Sequence, residues 1–200
     1  MSAAGELSPH RPALARLGLP EPVQAALARY LDLLAAWSDR VNLSGARTPA
    51  DRIRVLIEPA LALSPELVPG GILDIGSGNG SPGLVLAVLR PAAELTLLEP
   101  RLRRWAFLRE AARAVGAADA LVLRQRYQDY SGPPARNVLV RGLRLAPAAL
   151  AALIEDGGQL LVSGPRQAAA PTLAWAGTVG RAPSSFQRYR RPDVPRETSR

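Results

Sequence analysis

The sequence predicts an α/β protein with a mostly parallel sheet and helices on both of its faces. Three observations lead to this prediction: short apolar runs alternate with segments of helical spacing after residue 70, a glycine-rich turn follows the first run, and an acidic residue closes the second. Strands that alternate with helices of this length form parallel sheets. Such sheets bind their ligands beyond the carboxyl ends of the strands, so a functional site is expected at that edge.

Two helices are predicted ahead of the sheet, in a helical extension over residues 20–65. The first begins near Pro20 and carries one apolar stripe through about five turns. The second begins at Thr48, which can cap it, with Pro49 suited to its first turn and Asp51 placed to complete the cap. Both apolar stripes are expected to pack against the sheet as core.

The chain is expected to form a single domain over residues 1–200, with its core over residues 70–190. No linker long enough to separate two domains is visible. Residues 1–19 are rich in proline and alanine, so we expect them to be loosely held, with the only histidine, His10, solvated among them. The charged, proline-containing residues 191–200 are expected to form a frayed tail.

The core begins with Gly71–Gly83, whose sequence is GILDIGSGNGSPG. The apolar run that contains Asp74 predicts a buried strand, and Gly76 and Gly78 predict a tight turn whose backbone lies close to a ligand. Pro82 suits the first turn of the helix that follows. The turn is therefore expected to direct free backbone N–H groups at a ligand above the strand.

An acidic residue, Glu99, indicates which kind of ligand the glycine turn binds. It ends the second predicted strand, over residues 93–98, and follows Gly80 by 19 residues. A carboxylate about 20 residues beyond the glycines holds the ribose hydroxyls of a nucleotide in Rossmann-like folds. The glycines do not match the dinucleotide pattern G-x-G-x-x-G. An ordinary turn between strand and helix in some other α/β protein is the alternative.

The remaining elements continue the alternation of strands and helices. A helix over residues 100–116 carries Arg101, Arg103 and Arg104 in its first turn, where cations oppose the helix dipole. An anionic partner would relieve that opposition, and a solvated basic face is the alternative. Further strands are expected at 120–123, 137–140 and 159–162, a helix at 146–154, and an antiparallel pair at 173–176 and 186–190.

The composition excludes several classes of function. The chain has 200 residues, 48% of them hydrophobic, and its lack of cysteine excludes disulfides and thiolate chemistry. Neither a metal site, a membrane span nor a signal peptide is visible, so we expect a cytoplasmic protein that binds neither metal nor membrane. The net charge of +8 comes from arginine without any lysine, which favours a nucleic acid partner over simple compositional bias.

Three stretches of the chain share their motifs with one protein family. The first is the helix segment from Tyr30 to Trp37, followed by Asn42-Leu43-Ser44. The second is Leu73–Gly83, and the third is Thr96–Glu99 with Arg103-Arg104 and Phe107-Leu108 beyond it. Together they resemble the bacterial small-subunit ribosomal RNA methyltransferase G family, also called glucose-inhibited division protein B. The resemblance covers roughly residues 23–164 in order.

The resemblance implies the fold of class I S-adenosylmethionine-dependent methyltransferases and the methylation of guanine N7 in small-subunit (16S) rRNA. The partner it implies is rRNA or the small ribosomal subunit, and we expect a monomer. Glu99 is expected to hold the ribose, Tyr127 and Gln128 to lie beside the adenine, and Arg141 to be the catalytic residue. The full set of expected cofactor-binding residues is Asp74, Gly76, Gly78, Ser81, Glu99, Tyr127, Gln128 and Arg141.

The chain departs from the family pattern at several positions. Val55 and Glu58-Pro59 stand where the family has a histidine and an Asp-Ser pair, Ser81 where it usually has an apolar residue, and Ser163 where a lysine is common. Val140-Arg141-Gly142 stands where the family has Ser-Arg-Ala. Two alternatives therefore stay open: a catalytically weak paralogue that binds rRNA or cofactor, and a small-molecule methyltransferase. The target nucleotide and the choice between naked rRNA and an assembled particle also stay open.

Overall fold

A seven-stranded sheet organises the computed structural model, which describes residues 8–182 and 184–193. The strands are β1 Ile72–Ile75, β2 Leu95–Leu98, β3 Leu121–Leu123, β4 Ala135–Val140, β5 Ile154–Ser163, β6 Ala174–Val179 and β7 Phe186–Arg190. They lie in the order β3-β2-β1-β4-β5-β7-β6. Strands β1 to β5 run parallel, and β7 runs antiparallel to both of its neighbours. The predicted fold class and the predicted antiparallel pair are confirmed.

The helices precede the sheet or connect its strands. Their bounds are α1 Arg11–Ala15, α2 Glu21–Ser38, α3 Pro49–Arg52, α4 Glu58–Leu63, α5 Gly83–Leu89 and α6 Leu102–Ala114. A π-helical segment, Ile53–Ile57, joins α3 to α4 without a break. The predicted cap of α3 is confirmed, because the Asp51 N–H donates to Thr48 Oγ1 at 3.1 Å.

The central strand β1 is buried on both faces, as expected for the middle of a parallel sheet. Its residues alternate between two apolar clusters. Ile72 packs in the larger cluster with residues of α2, α4, α5 and α6. Leu73 and Ile75 face the opposite side, in a smaller cluster. The parallel register pairs Ile75 with Leu98 of β2 and Val140 of β4, so the carboxyl ends of these strands lie side by side at one edge of the sheet, where the site residues lie.

The two faces of the sheet are covered by different kinds of helix, and α2, α4, α5 and α6 pack on the face of the larger cluster. The second face is covered by two 3₁₀ helices, Tyr127–Asp129 and Pro147–Leu153, and by a loop over residues 164–173 that contributes Ala170 and Leu173. The helix predicted at 146–154 is thus a 3₁₀ helix, and Ile154 already belongs to β5. A 3₁₀ helix rises about 2.0 Å per residue against about 1.5 Å in an α-helix, so these seven residues cover more distance than they would as an α-helix.

The expectation for the amino-terminal segment is wrong for the residues that the structure describes. Residues 8–19 include α1, which buries Leu14 completely. His10 is also fully buried, with its Nδ1 at 2.8 Å from Asp32 Oδ1 and its Nε2 at 3.3 Å from Arg52 Nη1. A proton on Nδ1 and a lone pair on Nε2 satisfy both partners. Residues 1–7 lie outside the described part of the chain.

The expectation of a tail beginning at residue 191 is wrong at its first residue. The Arg191 guanidinium donates to the backbone oxygens of Ala151 and Ile154 at 3.1 and 2.9 Å. It also forms an ion pair with Asp156 at 2.7 Å, and its backbone N–H donates to Gly158 O. The chain beyond β7 is therefore held to the start of β5 up to Arg191. Residues 194–200 lie outside the described part.

Candidate active site

The glycine turn after β1 forms the centre of the candidate site. The backbone N–H groups of Gly76 and Ser77 both donate to Leu98 O, at 2.8 and 3.0 Å, which fixes the turn against the end of β2. Gly76 and Gly78 have φ values of +70° and +53°, in the left-handed region that strains other residues. The turn therefore requires glycine for its conformation, as the sequence predicts.

Asp74 lies beneath this turn, almost completely buried. Its Oδ2 accepts from the Gly83 N–H at 3.1 Å, at the start of α5, where the helix dipole favours a carboxylate. Burial nevertheless raises the pKa of Asp74 from 3.8 to about 7, and the charge of Glu99 adds to the rise, while the Gly83 N–H and the Arg141 charge oppose it. A Cβ on Gly83 would approach this carboxylate to 2.5 Å, so the close packing depends on glycine there.

Glu99 holds its carboxylate between the glycine turn and the start of α6, with 3% of its surface exposed. Its Oε2 accepts from the Gly78 N–H at 3.1 Å, and its Oε1 accepts from the Arg101 N–H at 2.8 Å. Each carboxylate oxygen can accept more than one hydrogen bond. The two oxygens therefore keep acceptor capacity for a pair of neighbouring hydroxyls, which is the chemistry that a ribose requires.

Arg141, at the end of β4, is anchored towards the interior. Its Nη2 donates to Val55 O at 2.6 Å and its Nη1 to Ser81 Oγ at 2.8 Å. The Ser81 hydroxyl in turn donates to Leu56 O at 2.7 Å. Burial lowers the pKa of Arg141. Both terminal nitrogens thus have partners behind the glycine turn, and the guanidinium joins the π-helical segment to that turn.

Pro59 explains why Val55 O is available to Arg141. In an α-helix the N–H of residue 59 would donate to this carbonyl, and proline has no N–H. The π-helical segment Ile53–Ile57 ends there, which is a common feature of functional sites. Pro59 is one of the departures from the family pattern, and the structure gives it a definite consequence.

Most of the other departures lie around the same loop. Ser81 supplies a hydroxyl to Arg141, where an apolar residue could not. Ser163 Oγ accepts from the Gly142 N–H at 3.1 Å and so holds the loop after β4 to the end of β5. The departures at Pro59, Ser81, Gly142 and Ser163 are therefore spatial neighbours that together fix the position of the Arg141 loop.

Tyr127 and Gln128 lie in the 3₁₀ turn after β3, on the same edge of the sheet. The Tyr127 ring is half-buried and packs against the smaller apolar cluster. Gln128 is exposed. The sheet order β3-β2-β1-β4 therefore places this turn on the outer side of Glu99, away from Arg141.

The arginines at the start of α6 differ from one another in a way that the sequence does not reveal. Arg101 and Arg103 are exposed. Arg104 Nη2 donates to Asn42 O at 2.9 Å, and its Nη1 would lie 3.7 Å from a Cβ on Gly78. Arg104 therefore connects the loop after α2 to the glycine turn. Replacing it would disturb the turn as well as remove a positive charge.

One residue at this edge is absent from the sequence-based list. Leu143, two residues beyond Arg141, lies directly on Gly76, where an added Cβ would overlap its Cδ1. The side chain is still 39% exposed. The only sequence signal is an apolar residue between two arginines in the loop after β4.

Two further features bear on the expected partners. Within residues 8–182 and 184–193, no helix combines the length and apolarity needed to span a membrane. In the same part of the chain, no three or more His, Cys, Asp or Glu side chains group as a metal site would require. The expectation that the protein binds no metal stays a prediction.

Solved structures share this fold. The yhhF protein of Escherichia coli superposes with a TM-score of 0.57 at 21% identity, covering 76% of this chain and 91% of that one. An RNA methyltransferase from Salinibacter ruber, solved with S-adenosyl-L-homocysteine, gives a TM-score of 0.52 at 16% identity, covering 72% and 95%. At these identities the likeness establishes the class I S-adenosylmethionine-dependent methyltransferase fold and nothing finer.

Sequence relatives are more specific. The family model described as rRNA small subunit methyltransferase G, GidB, matches residues 23–166. The ribosomal RNA small subunit methyltransferase G of Xanthomonas campestris pv. campestris is 36% identical over 140 residues, 70% of this chain and 65% of that protein. The protein of the same name from Stenotrophomonas maltophilia is 32% identical over 151 residues, 76% of this chain and 70% of the relative. The matched part thus spans about two thirds of these relatives' length, and this chain belongs to the rRNA small subunit methyltransferase G (GidB) family.

Proposed function

We propose that this chain transfers a methyl group from S-adenosylmethionine to N7 of a guanine in 16S rRNA. The observation that carries the proposal is the Glu99 carboxylate, fixed beside the glycine turn by the N–H groups of Gly78 and Arg101. Membership of the family supports the choice of substrate. When bound, S-adenosylmethionine supplies an electrophilic methyl group on a positively charged sulfur.

Different residues at the carboxyl edge of the sheet hold different parts of this cofactor. Glu99 accepts from the ribose hydroxyls, and the turn at Gly76 and Gly78 allows close approach. Tyr127 and Gln128 flank the adenine from the β3 side. Asp74, Ser81 and Arg141 lie behind the turn and fix its shape, Asp74 through the hydrogen bond that its carboxyl group accepts from the Gly83 N–H and Arg141 through its hydrogen bond to Ser81.

Guanine N7 has a lone pair and no proton, so methylation there needs no general base. The chain has to hold the base in line with the methyl group and exclude water, which is catalysis by proximity and orientation. Arg141 contributes as part of the active centre by fixing the loop after β4 beside the turn. The site does not require the nucleophilic histidine or cysteine that other transferases use.

Arg103 is the clearest candidate for a phosphate contact at this edge. It is exposed at the start of α6, while the neighbouring Arg104 is bonded to Asn42 O. A plot of the logarithm of RNA affinity against the logarithm of salt concentration has a negative slope. Replacing Arg103 with alanine should make this slope shallower by about 0.7–0.9, the counterion release expected for one phosphate contact. Filter binding across a salt series measures this slope, and S-adenosylhomocysteine affinity should stay the same.

Arg113 provides the matched control, because it is an exposed arginine in the last turn of the same helix. Replacing it with alanine removes the same charge from the far end of α6 and should leave the slope nearly unchanged. Equal slopes for the parent and the Arg103→Ala variant would show that the start of α6 does not contact RNA.

The function itself is tested on small ribosomal subunits from a strain that lacks the family enzyme. Purified chain and S-adenosylmethionine should produce N7-methylguanosine in the 16S rRNA, detected by mass spectrometry of its digest. Running naked rRNA in parallel identifies the preferred substrate form. Binding of S-adenosylhomocysteine without any methylation of either substrate would indicate the catalytically weak paralogue instead.

We also propose that the chain acts as a cytoplasmic monomer and a single domain. The single domain is supported by the residues of α2 and α4, which share one apolar cluster with β1, α5 and α6, so the helical extension has no core of its own. Light scattering that gave twice the mass of the chain would contradict the monomer.

A further inference from the structure

Leu143 is an exposed apolar side chain placed on the glycine turn. It covers Gly76 so closely that a Cβ on that glycine would overlap its Cδ1. Most leucines that the structure describes are buried, whereas 39% of the Leu143 surface is exposed, at the edge where the cofactor is expected. Gly76 directly follows β1, which pairs with β2 on one side and β4 on the other, so Leu143 borders the central part of the crevice.

The loop that carries Leu143 is fixed at its root. Arg141 is bonded to Val55 O and Ser81 Oγ, and the Gly142 N–H donates to Ser163 Oγ. Gly142 adopts a φ of +71°, a left-handed conformation that reverses the chain between Arg141 and Leu143. The Arg141 side chain therefore lies behind the turn, and Leu143 is the residue of this loop that covers the front of it.

The order of the strands determines which end of a ligand lies near Leu143. Glu99 follows β2, and the Tyr127 turn follows β3, on the outer side of β2. Leu143 follows β4, on the opposite side of β1. A nucleoside held at its ribose by Glu99, with its base towards β3, must therefore extend its other end over Gly76 towards Leu143.

We propose that Leu143 binds the cofactor by packing against the sulfur-bearing, amino acid end of S-adenosylmethionine. The proposal rests on the cofactor assigned under the proposed function. Leu143 contributes apolar contact and shields the sulfur from water. It also places an uncharged side chain on Gly76, although Arg141, which is bonded behind the turn, and the exposed Arg144 flank it in the sequence. A cation in its place would repel the positively charged sulfur.

Calorimetry with truncated ligands tests this contact. Leu143→Ala should weaken S-adenosylhomocysteine binding about fivefold to tenfold, the scale expected for losing roughly 40–50 Å² of apolar contact. Binding of adenosine, which lacks the sulfur and the amino acid, should change less than twofold on the same basis. Leu143→Met keeps an apolar side chain of similar volume and should restore S-adenosylhomocysteine binding to within about twofold.

A charged variant gives a second measurement, which would not change if Leu143 had only a structural role. Leu143→Lys should weaken binding of S-adenosylmethionine about tenfold more than that of S-adenosylhomocysteine, because only the former carries charge on sulfur. Leu121→Ala is the matched control. Leu121 is 51% exposed and begins β3, away from the carboxyl edge.

The outcomes separate this proposal from the function on which it rests. Unchanged S-adenosylhomocysteine affinity in Leu143→Ala overturns the contact, and so does an equal loss of adenosine affinity, which would indicate general damage. A parent chain that binds S-adenosylhomocysteine yet methylates no rRNA overturns the proposed function and leaves the Leu143 contact standing. A parent chain that binds neither ligand overturns both.

Discussion

Replacing Glu99 with alanine should weaken S-adenosylhomocysteine binding by about 1–3 kcal/mol, the scale of a hydrogen bond to a charged group left unmade. The ribose hydroxyls would lose their acceptor. The N–H groups of Gly78 and Arg101 would lose theirs as well, so the turn and the start of α6 would no longer be held together. Calorimetry gives the affinity, and circular dichroism shows whether the fold persists.

Glu94→Ala is the matched control for this change. Glu94 is an exposed glutamate just before β2, at the opposite end of the strand that Glu99 follows. Its removal should leave cofactor affinity unchanged. Glu99→Gln keeps an oxygen for one backbone N–H but opposes the other with its NH₂ group, so intermediate affinity is expected. Full affinity in a folded Glu99→Ala variant would remove Glu99 from the cofactor site, and tighter binding of NAD than of S-adenosylhomocysteine would contradict the cofactor itself.

The buried Asp74 should make the protein less stable as the pH rises from about 4 to about 7. Burial raises its pKa to about 7 in the folded chain, whereas an unfolded chain has the ordinary value of 3.8. Below the lower value both states are protonated, and the contribution of Asp74 is fully present. Between the two values only the unfolded chain ionises, so the free energy of unfolding falls by at most about 1.4 kcal/mol per pH unit. Above the higher value the loss is complete.

Asp74→Asn isolates this effect, because asparagine cannot ionise and its oxygen can still accept from the Gly83 N–H. The free energy of unfolding, from denaturant titrations at several pH values, should fall relative to the variant between pH 4 and 7. The comparison with the variant cancels the contributions of other carboxylates to the pH dependence. Asp51 is one of them: hydrogen bonds from Arg54 and Thr48 lower its pKa, so its contribution to stability increases as the pH rises. A difference that is independent of pH would show that Asp74 does not titrate in this range.

The sequence was sufficient wherever a short stretch carries its own physical signal. The turn at Gly76 and Gly78 could be predicted because only glycine adopts its φ values without strain. The cap of α3 could be predicted because Thr48 and Asp51 are three residues apart. Glu99 could be assigned to the carboxyl edge because it directly follows an apolar strand. Each of these inferences depends on residues within one or two elements.

The sequence was insufficient wherever the partners of a residue are distant along the chain. The proline- and alanine-rich segment around His10 predicts a solvated side chain, whereas its partners, Asp32 and Arg52, belong to two other helices. The segment predicted as a helix at 146–154 forms a 3₁₀ helix that ends at Leu153, directly before β5, and its own residues do not indicate which kind of helix they form. The sequence places Arg191 in a tail, because its carbonyl partners, Ala151 O and Ile154 O, lie far earlier in the chain.

The sequence by itself determined the fold class, the glycine turn, the acidic residue at the end of β2 and the family, because these depend on local spacing. Only the tertiary structure decided what the neighbouring polar groups do. It brought Val55 O, Ser81 and Arg141 together from three separate segments, and it turned Arg141 inward and placed Leu143 on Gly76. It also separated Arg104, bonded to Asn42 O, from the exposed Arg103 beside it. The physical reason is that a hydrogen bond or an apolar contact depends on positions in space, which spacing along the chain constrains only within one element.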